Sequence, residues 1–331
     1  MYRALVFCGV VLTFLVVVAG AYVRLEDAGL GCPDWPGCYG RLLGVPDEVH
    51  EVAKAEETFP GRPLDRARAW KEMFHRYLAA TLGLLIVAIA AIAWRSRAVA
   101  GRSPWLATAL VVVVALQATL GMWTVTMLLK PAIVTLHLLG GMTTLALMVW
   151  LALREIDPPA APADAGRKLR PWAALGIALL ALQIALGGWV SANYAAFACP
   201  DFPACHGRWL PSMDFGHAFH VMRELGVTAT GAPLAQDALI AIHWTHRMGA
   251  LVTVLYVGTL AAVLLRTPAL VRHGAALLML LAAQAALGIA NVLAGLPLAL
   301  AVAHNGGAAL LLAALVVLNF AVFRKVENRQ D

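Results

Sequence analysis

The chain has 331 residues, of which 61% are hydrophobic and 13% charged, with a formal net charge of +6. Soluble globular proteins carry about 25% charged residues, so this composition excludes an ordinary soluble enzyme and points to a protein dissolved in a bilayer. The excess of Lys and Arg reads as a membrane-topology signal and calls for no nucleic-acid partner.

A hydrocarbon core about 30 Å thick takes about 20 apolar residues to cross. Eight stretches qualify, at about 3–23, 72–94, 104–126, 132–153, 171–192, 238–265, 271–294 and 298–323. The expected fold class is an all-α integral membrane protein with eight transmembrane helices. The first run, "ALVFCGVVLTFLVVVAGAY", is short and ends in small residues as a signal peptide does. Its copy at 171–192 lies mid-chain, so both are read as spans, and Cys8 within the first reads as a small apolar core residue. No Arg- and Ser-rich transit segment precedes it, which favours a bacterial inner membrane.

Only two connections exceed 40 residues, 24–71 and 193–237. The first contains "GCPDWPGC" (31–38) and the second "ACPDFPAC" (198–205). The basic segments 95–102, Arg154 to Arg170, Arg266 with Arg272, and 323–329 fall on one side if both termini are cytoplasmic. Both cysteine loops then lie outside, where disulfides persist. Cys32 with Cys38, and Cys199 with Cys205, are close enough in sequence to bridge. A zinc site would favour a tighter C-x-x-C pair.

From Cys32 to Cys199 is 167 positions, and that offset recurs. "ALQATLGMW" (115–123) aligns with "AAQAALGIA" (282–290), "TLHLLGG" (135–141) with "VAHNGGA" (302–308), and "AGAYV" (19–23) with "LGGWV" (186–190). "EMFHRYLAATLG" (72–83) aligns with "HWTHRMGALVTV" (243–254) at 171, after a four-residue insertion. The expected organisation is two tandem four-helix bundles, 1–153 and 171–331, joined by a cytoplasmic linker at 154–170. An even number of spans per half makes the repeats parallel, with a pseudo-two-fold axis along the membrane normal.

Ionisable groups inside a bilayer are costly and usually functional. His75 lies a few residues into the second span and His137 a similar distance into the fourth; His246 and His304 repeat the pair. At 1.5 Å per residue all four sit within about 10 Å of the outer surface. Two imidazoles at one depth on two parallel helices suit a macrocycle with iron bound on both faces. Gly140-Gly141 and Gly306-Gly307 would remove bulk beside it, and Arg76 and Arg247 are candidates to hold propionates. The alternatives are polar helix packing and binding of another transition metal. His50, His206, His217, His220 and His273 fall in loops or at a helix edge; "HAFH" (217–220) could hold a metal, with solvated surface the plainer reading.

The halves differ in one place. Glu72 precedes His75 by three positions, and its counterpart is His243. A carboxylate one turn before a ligand shares its face, so only the N-terminal half has an acid beside its histidines. The plain alternative is that Glu72 neutralises an Arg near the membrane surface.

These motifs, across essentially the whole chain, resemble the haem A synthase family. The resemblance implies an oxidoreductase that converts the ring-position-eight methyl of haem O to a formyl group, making haem A for terminal oxidases. It implies that His246 and His304 ligate a resident haem b in the C-terminal half, that His75 and His137 flank substrate haem O in the N-terminal half, and that Glu72 is the essential acid. It also implies disulfides Cys32–Cys38 and Cys199–Cys205, the N-terminal one being tied to function. The haem O synthase that supplies the substrate is a reasonable neighbour. Two rival readings are a quinol-linked dihaem b-type cytochrome, which gives Glu72 no necessary role, and a transporter, for which no span shows a broken midplane segment.

Overall fold

The computed structural model describes residues 1–100 and 103–324, so the ends of the basic segments 95–102 and 323–329 lie outside the described residues. Among the described residues ten α-helices follow in order: α1 Tyr2–Leu25, α2 Val49–Thr58, α3 Arg66–Ala100, α4 Trp105–Thr126, α5 Pro131–Ile156, α6 Ala163–Ala192, α7 Phe215–Ala218, α8 Gln236–Leu265, α9 Val271–Leu293 and α10 Leu298–Phe323. Eight are long and apolar enough to cross a membrane, all but α2 and α7. Helix is the form that satisfies every backbone donor and acceptor within one segment, which a lipid environment demands. Prolines mark the starts, with Pro131 opening α5 and Pro297 preceding α10, where the missing N–H costs no intrahelical bond.

Helix starts depart from expectation in two places. α3 begins at Arg66 and α6 at Ala163, so both extend beyond their apolar runs, with Pro171 inside α6. The joint between the halves is correspondingly shorter than 154–170, covering only 157–162. It docks on α10, where the Ala161 N–H donates to Ala321 O (2.9 Å) and Arg170 Nε to Val322 O (2.8 Å). The small helix α2 begins with a capping box between Glu48 and Glu51, which satisfies its first free N–H groups.

α1 packs on α3 and α5, and α4 packs on the same two, so that α3 and α5 stand diagonally opposite in a four-membered ring. α6, α8, α9 and α10 close a second ring with α8 and α10 on the diagonal. The rings meet through α5 and α6, α1 and α10, and α5 and α10. α10 is the most enclosed span, 67% buried along its most apolar window against 11% for α4. At the loop end, Arg24 of α1 joins the halves by donating to Ser191 O (2.6 Å) and to the Tyr194 hydroxyl (2.8 Å). Cys8 is exposed. The buried face of α1 runs through Val6, Gly9, Thr13 and Val17, a three-and-four spacing that position 8 falls off, so it is no core residue.

Candidate functional site

Both cysteine pairs are disulfides, with Cα atoms 4.9 Å apart for Cys32–Cys38 and 4.8 Å for Cys199–Cys205. Each encloses a turn organised by an aspartate. Asp34 accepts from the N–H groups of Tyr39 (2.6 Å) and Gly40 (2.8 Å), and Asp201 from those of His206 (2.7 Å) and Gly207 (2.8 Å). The aromatics Trp35 and Phe202 sit part-exposed at the tips.

The N–H groups of Gly207 and His206 hold the Asp201 carboxyl below the usual carboxylate range. A depressed folded-state value means the stabilisation is present above the unfolded value and is lost as pH falls through the lowered one. The protection of the His206 and Gly207 amides, measured against the intrinsic exchange rate at each pH, should therefore be high at neutral pH and fall in acid. Asp201→Asn should abolish that acid transition; an unchanged pH profile would remove Asp201 from the role.

Arginines following two histidines fasten these loops to the membrane helices. Arg76 Nη1 donates to the carbonyls of Asp34 (2.9 Å), Pro36 (3.2 Å) and Gly37, and its other nitrogen pairs with Glu72. Arg247 donates to Ala204 O (2.7 Å) and Cys199 O (2.9 Å), and its Nε is buried without a partner. Gly31 is pressed against α3, where a Cβ would lie 2.6 Å from the Arg68 carbonyl carbon. That close approach lets the Cys32 N–H donate to Glu72 Oε2 at 2.9 Å. Glu72 is 4% exposed, and its carboxylate joins helix, arginine and disulfide loop. His243, its counterpart, is 5% exposed, and its buried Nδ1 has no partner.

Removing the first disulfide should loosen this lid. Closing so short a loop contributes about 2 kcal/mol in the chain-entropy treatment. Cys32→Ser with Cys38→Ser should lower the melting temperature and reduce haem retention together with turnover. Lost turnover with haem content intact would instead assign thiol chemistry to the pair.

His75 on α3 and His137 on α5 sit on the diagonal helices of the first ring, as do His246 on α8 and His304 on α10 in the second. His75 and His246 lie deeper along their helices than the apolar runs implied, because α3 and α8 start at Arg66 and Gln236. Each ring rests on a glycine of a neighbouring helix. A Cβ would stand 2.9 Å from His75 Cε1 at Gly20, 3.3 Å from that of His137 at Gly121, 3.1 Å from that of His246 at Gly187 and 3.0 Å from that of His304 at Gly288. The glycine pairs after His137 and His304 do a different job from the expected one. Gly140 faces Gln117 and Gly307 faces Gln284, while Gly141 and Gly306 abut Val17 and Val18. The ring-bearing glycines and the glutamines were visible in the repeated "ALQATLGMW" and "AGAYV" segments, but periodicity alone does not say which side chain they touch.

The donor set fits an iron porphyrin. His75, His137 and His304 each have a buried Nδ1 with no partner, a state that is costly unless something pairs with the ring. Neutral imidazoles from facing helices are standard iron ligands. The remaining histidines do not assemble a centre: among the described residues no three metal-capable side chains cluster. His217 instead pairs with Asp214 at 2.6 Å, and the His206 ring lies 2.9 Å from Ala198 O.

Known proteins match this chain over nearly its whole length. The chain is 42% identical to the heme A synthase of Shewanella oneidensis, covering 95% of this chain and 94% of that one. It is 29% identical to the heme A synthases of Rhizorhabdus wittichii, covering 92% and 89%, and of Caulobacter vibrioides, covering 91% and 90%. The COX15-CtaA profile, described as cytochrome oxidase assembly protein, matches residues 3–316. With two histidine-bearing helix rings and a family match running almost end to end, this chain belongs to the COX15-CtaA family of cytochrome oxidase assembly proteins.

Proposed function

We propose that this protein is a haem A synthase, a multi-pass membrane oxidoreductase that converts the ring-position-eight methyl of haem O to the formyl group of haem A. One observation carries the assignment of roles: two histidine pairs recur in two helix rings, and a buried carboxylate, Glu72, stands one turn from a histidine in only one ring. In this reading His75 and His137 flank substrate haem O, and His246 with His304 hold a resident haem b. The two rings are tandem halves about a pseudo-two-fold axis, supported by the matching helix neighbours and by the glycines at the same 167-residue offset under corresponding rings. Both termini are cytoplasmic and the disulfide loops lie outside a bacterial inner membrane.

The resident group supplies one-electron redox chemistry near the reacting carbon when bound. The protein's own part is positional and acid–base. The glycine cradles admit a flat macrocycle, and the disulfide loops cover the loop-side ends of the histidine helices and exclude water. Glu72, whose Oε1 pairs with Arg76 and whose Oε2 accepts from the Cys32 N–H, takes up protons released as the methyl carbon is oxidised. Arg247 keeps a free Nε donor for a propionate, whereas Arg76 acts chiefly through the loop it holds. Contact with the enzyme that makes haem O would let a greasy substrate pass without entering water.

Pigment extraction tests the assignment. Cells making this protein together with a haem O source should yield haem A, and cells lacking either should yield none. Haem O accumulating unchanged beside folded protein would overturn it.

A further inference from the structure

Three of the four histidine nests are built alike, and the fourth is not. His246 has Gly249 three positions on; Gln183 of α6 lies against that glycine, where a Cβ would be 2.4 Å from Oε1, and one turn after Gln183 comes Gly187, under the ring. His304 repeats this with Gly307, Gln284 and Gly288, and His137 with Gly140, Gln117 and Gly121. His75 rests on Gly20, yet the residue one turn before Gly20 is Val16 and the residue three after His75 is Leu78. An apolar pair stands where the other nests carry glutamine and glycine.

The amides reach the rings in the second helix ring. Gln183 Nε2 is 3.0 Å from His246 Nδ1 and 3.0 Å from His246 O, and Gln284 Nε2 is 3.4 Å from His304 Nε2. The Nδ1 atoms of His75, His137 and His304 are all buried with no partner, so what sets the His75 nest apart is the missing amide and its glycine. Gly249 gives the Gln183 amide its room, and in the His75 nest the place of that glycine is taken by Leu78. The two differences go together in the repeat: the nest that lacks the glutamine also lacks the glycine.

Outer partners of a metal-binding imidazole fix its tautomer and rotation and raise its basicity; losing one costs about 10–100-fold in affinity. An amide can meet a ring N–H with its oxygen or a bare ring nitrogen with its NH₂, and the Gln183 oxygen has no other partner. Valine and leucine can do neither. We infer that Gln183 is the positioning residue of His246, and that the Val16–Leu78 pair leaves His75 as the loosely held, exchangeable member of the four. This rests on the reading that the histidines face haem iron, and it accounts for a site that must release its product beside one that must not.

Carbon monoxide tests this, because iron held by two histidines accepts it only when one lets go. The probe is the reduced, haem-loaded full chain in detergent. In the wild type, haem in the N-terminal half should bind carbon monoxide and that in the C-terminal half should not. Gln183→Leu should make the C-terminal haem reactive and weaken its retention about 10–100-fold, while Gln183→Glu, which keeps an acceptor, should restore both. Val16→Gln with Leu78→Gly should suppress the reaction in the N-terminal half, and this pair carries the test if Gln183→Leu does not fold. Unchanged carbon monoxide spectra in Gln183→Leu or in the paired variant would overturn the inference while leaving the haem assignment standing. Wild-type protein that holds no haem through His246 would overturn both.

Discussion

Glu72→Gln should cut haem A formation by about 10²–10⁴-fold, the range for removing a positioned proton-transfer group, without emptying the C-terminal site. The amide still offers an oxygen to the Cys32 N–H, so the loop contact at 2.9 Å survives. What goes is the basic oxygen and the charge beside Arg76, whose side chain is itself largely enclosed. Glu72→Ala should behave differently. It strips the acceptor from both Arg76 and Cys32, and leaving one half of an enclosed ion pair alone costs about 3–5 kcal/mol. The alanine variant should therefore be less stable as well as inactive. Purified protein assayed for haem A by pigment extraction, alongside thermal melting, separates the two. Full turnover by the glutamine variant would remove Glu72 from the chemistry and leave it as a tether.

His246→Ala should empty the C-terminal site, because an axial ligand is lost outright, a larger change than the about 10–100-fold that loss of an outer partner brings. The b-type absorption of purified protein should disappear. His75→Ala should keep that absorption and lose turnover, since the remaining pair at His246 and His304 sits in the other helix ring. Haem quantified by extraction in the two variants decides the matter. Equal loss in both would mean that the rings do not hold separate haems.

Much of this protein is legible in its sequence for a simple reason. Apolar length alone marks helices that must cross a bilayer, and all eight runs became helices. The cysteine pairs, six residues apart, were bound to meet if oxidised, and both did. The histidines and Glu72 announced themselves because charge-bearing groups are rare in apolar runs. The 167-residue repeat then turned four isolated histidines into two pairs.

Other features needed the third dimension, because the sequence states spacing along a helix and says little about which neighbour a face meets. Helix ends outside the apolar runs, at Arg66 and Ala163, depend on packing beyond the lipid boundary. Arg76 and Arg247 read as anion holders, yet both reach back about 40 residues to loop carbonyls whose position only the folded turn sets. Gly140 and Gly307 read as space for a ligand, but they receive glutamine side chains, while the imidazoles rest on glycines from other helices. The Gln183–His246 contact joins residues 63 positions apart, and its absence at Val16 and Leu78 has meaning only once α1 is seen packed against α3.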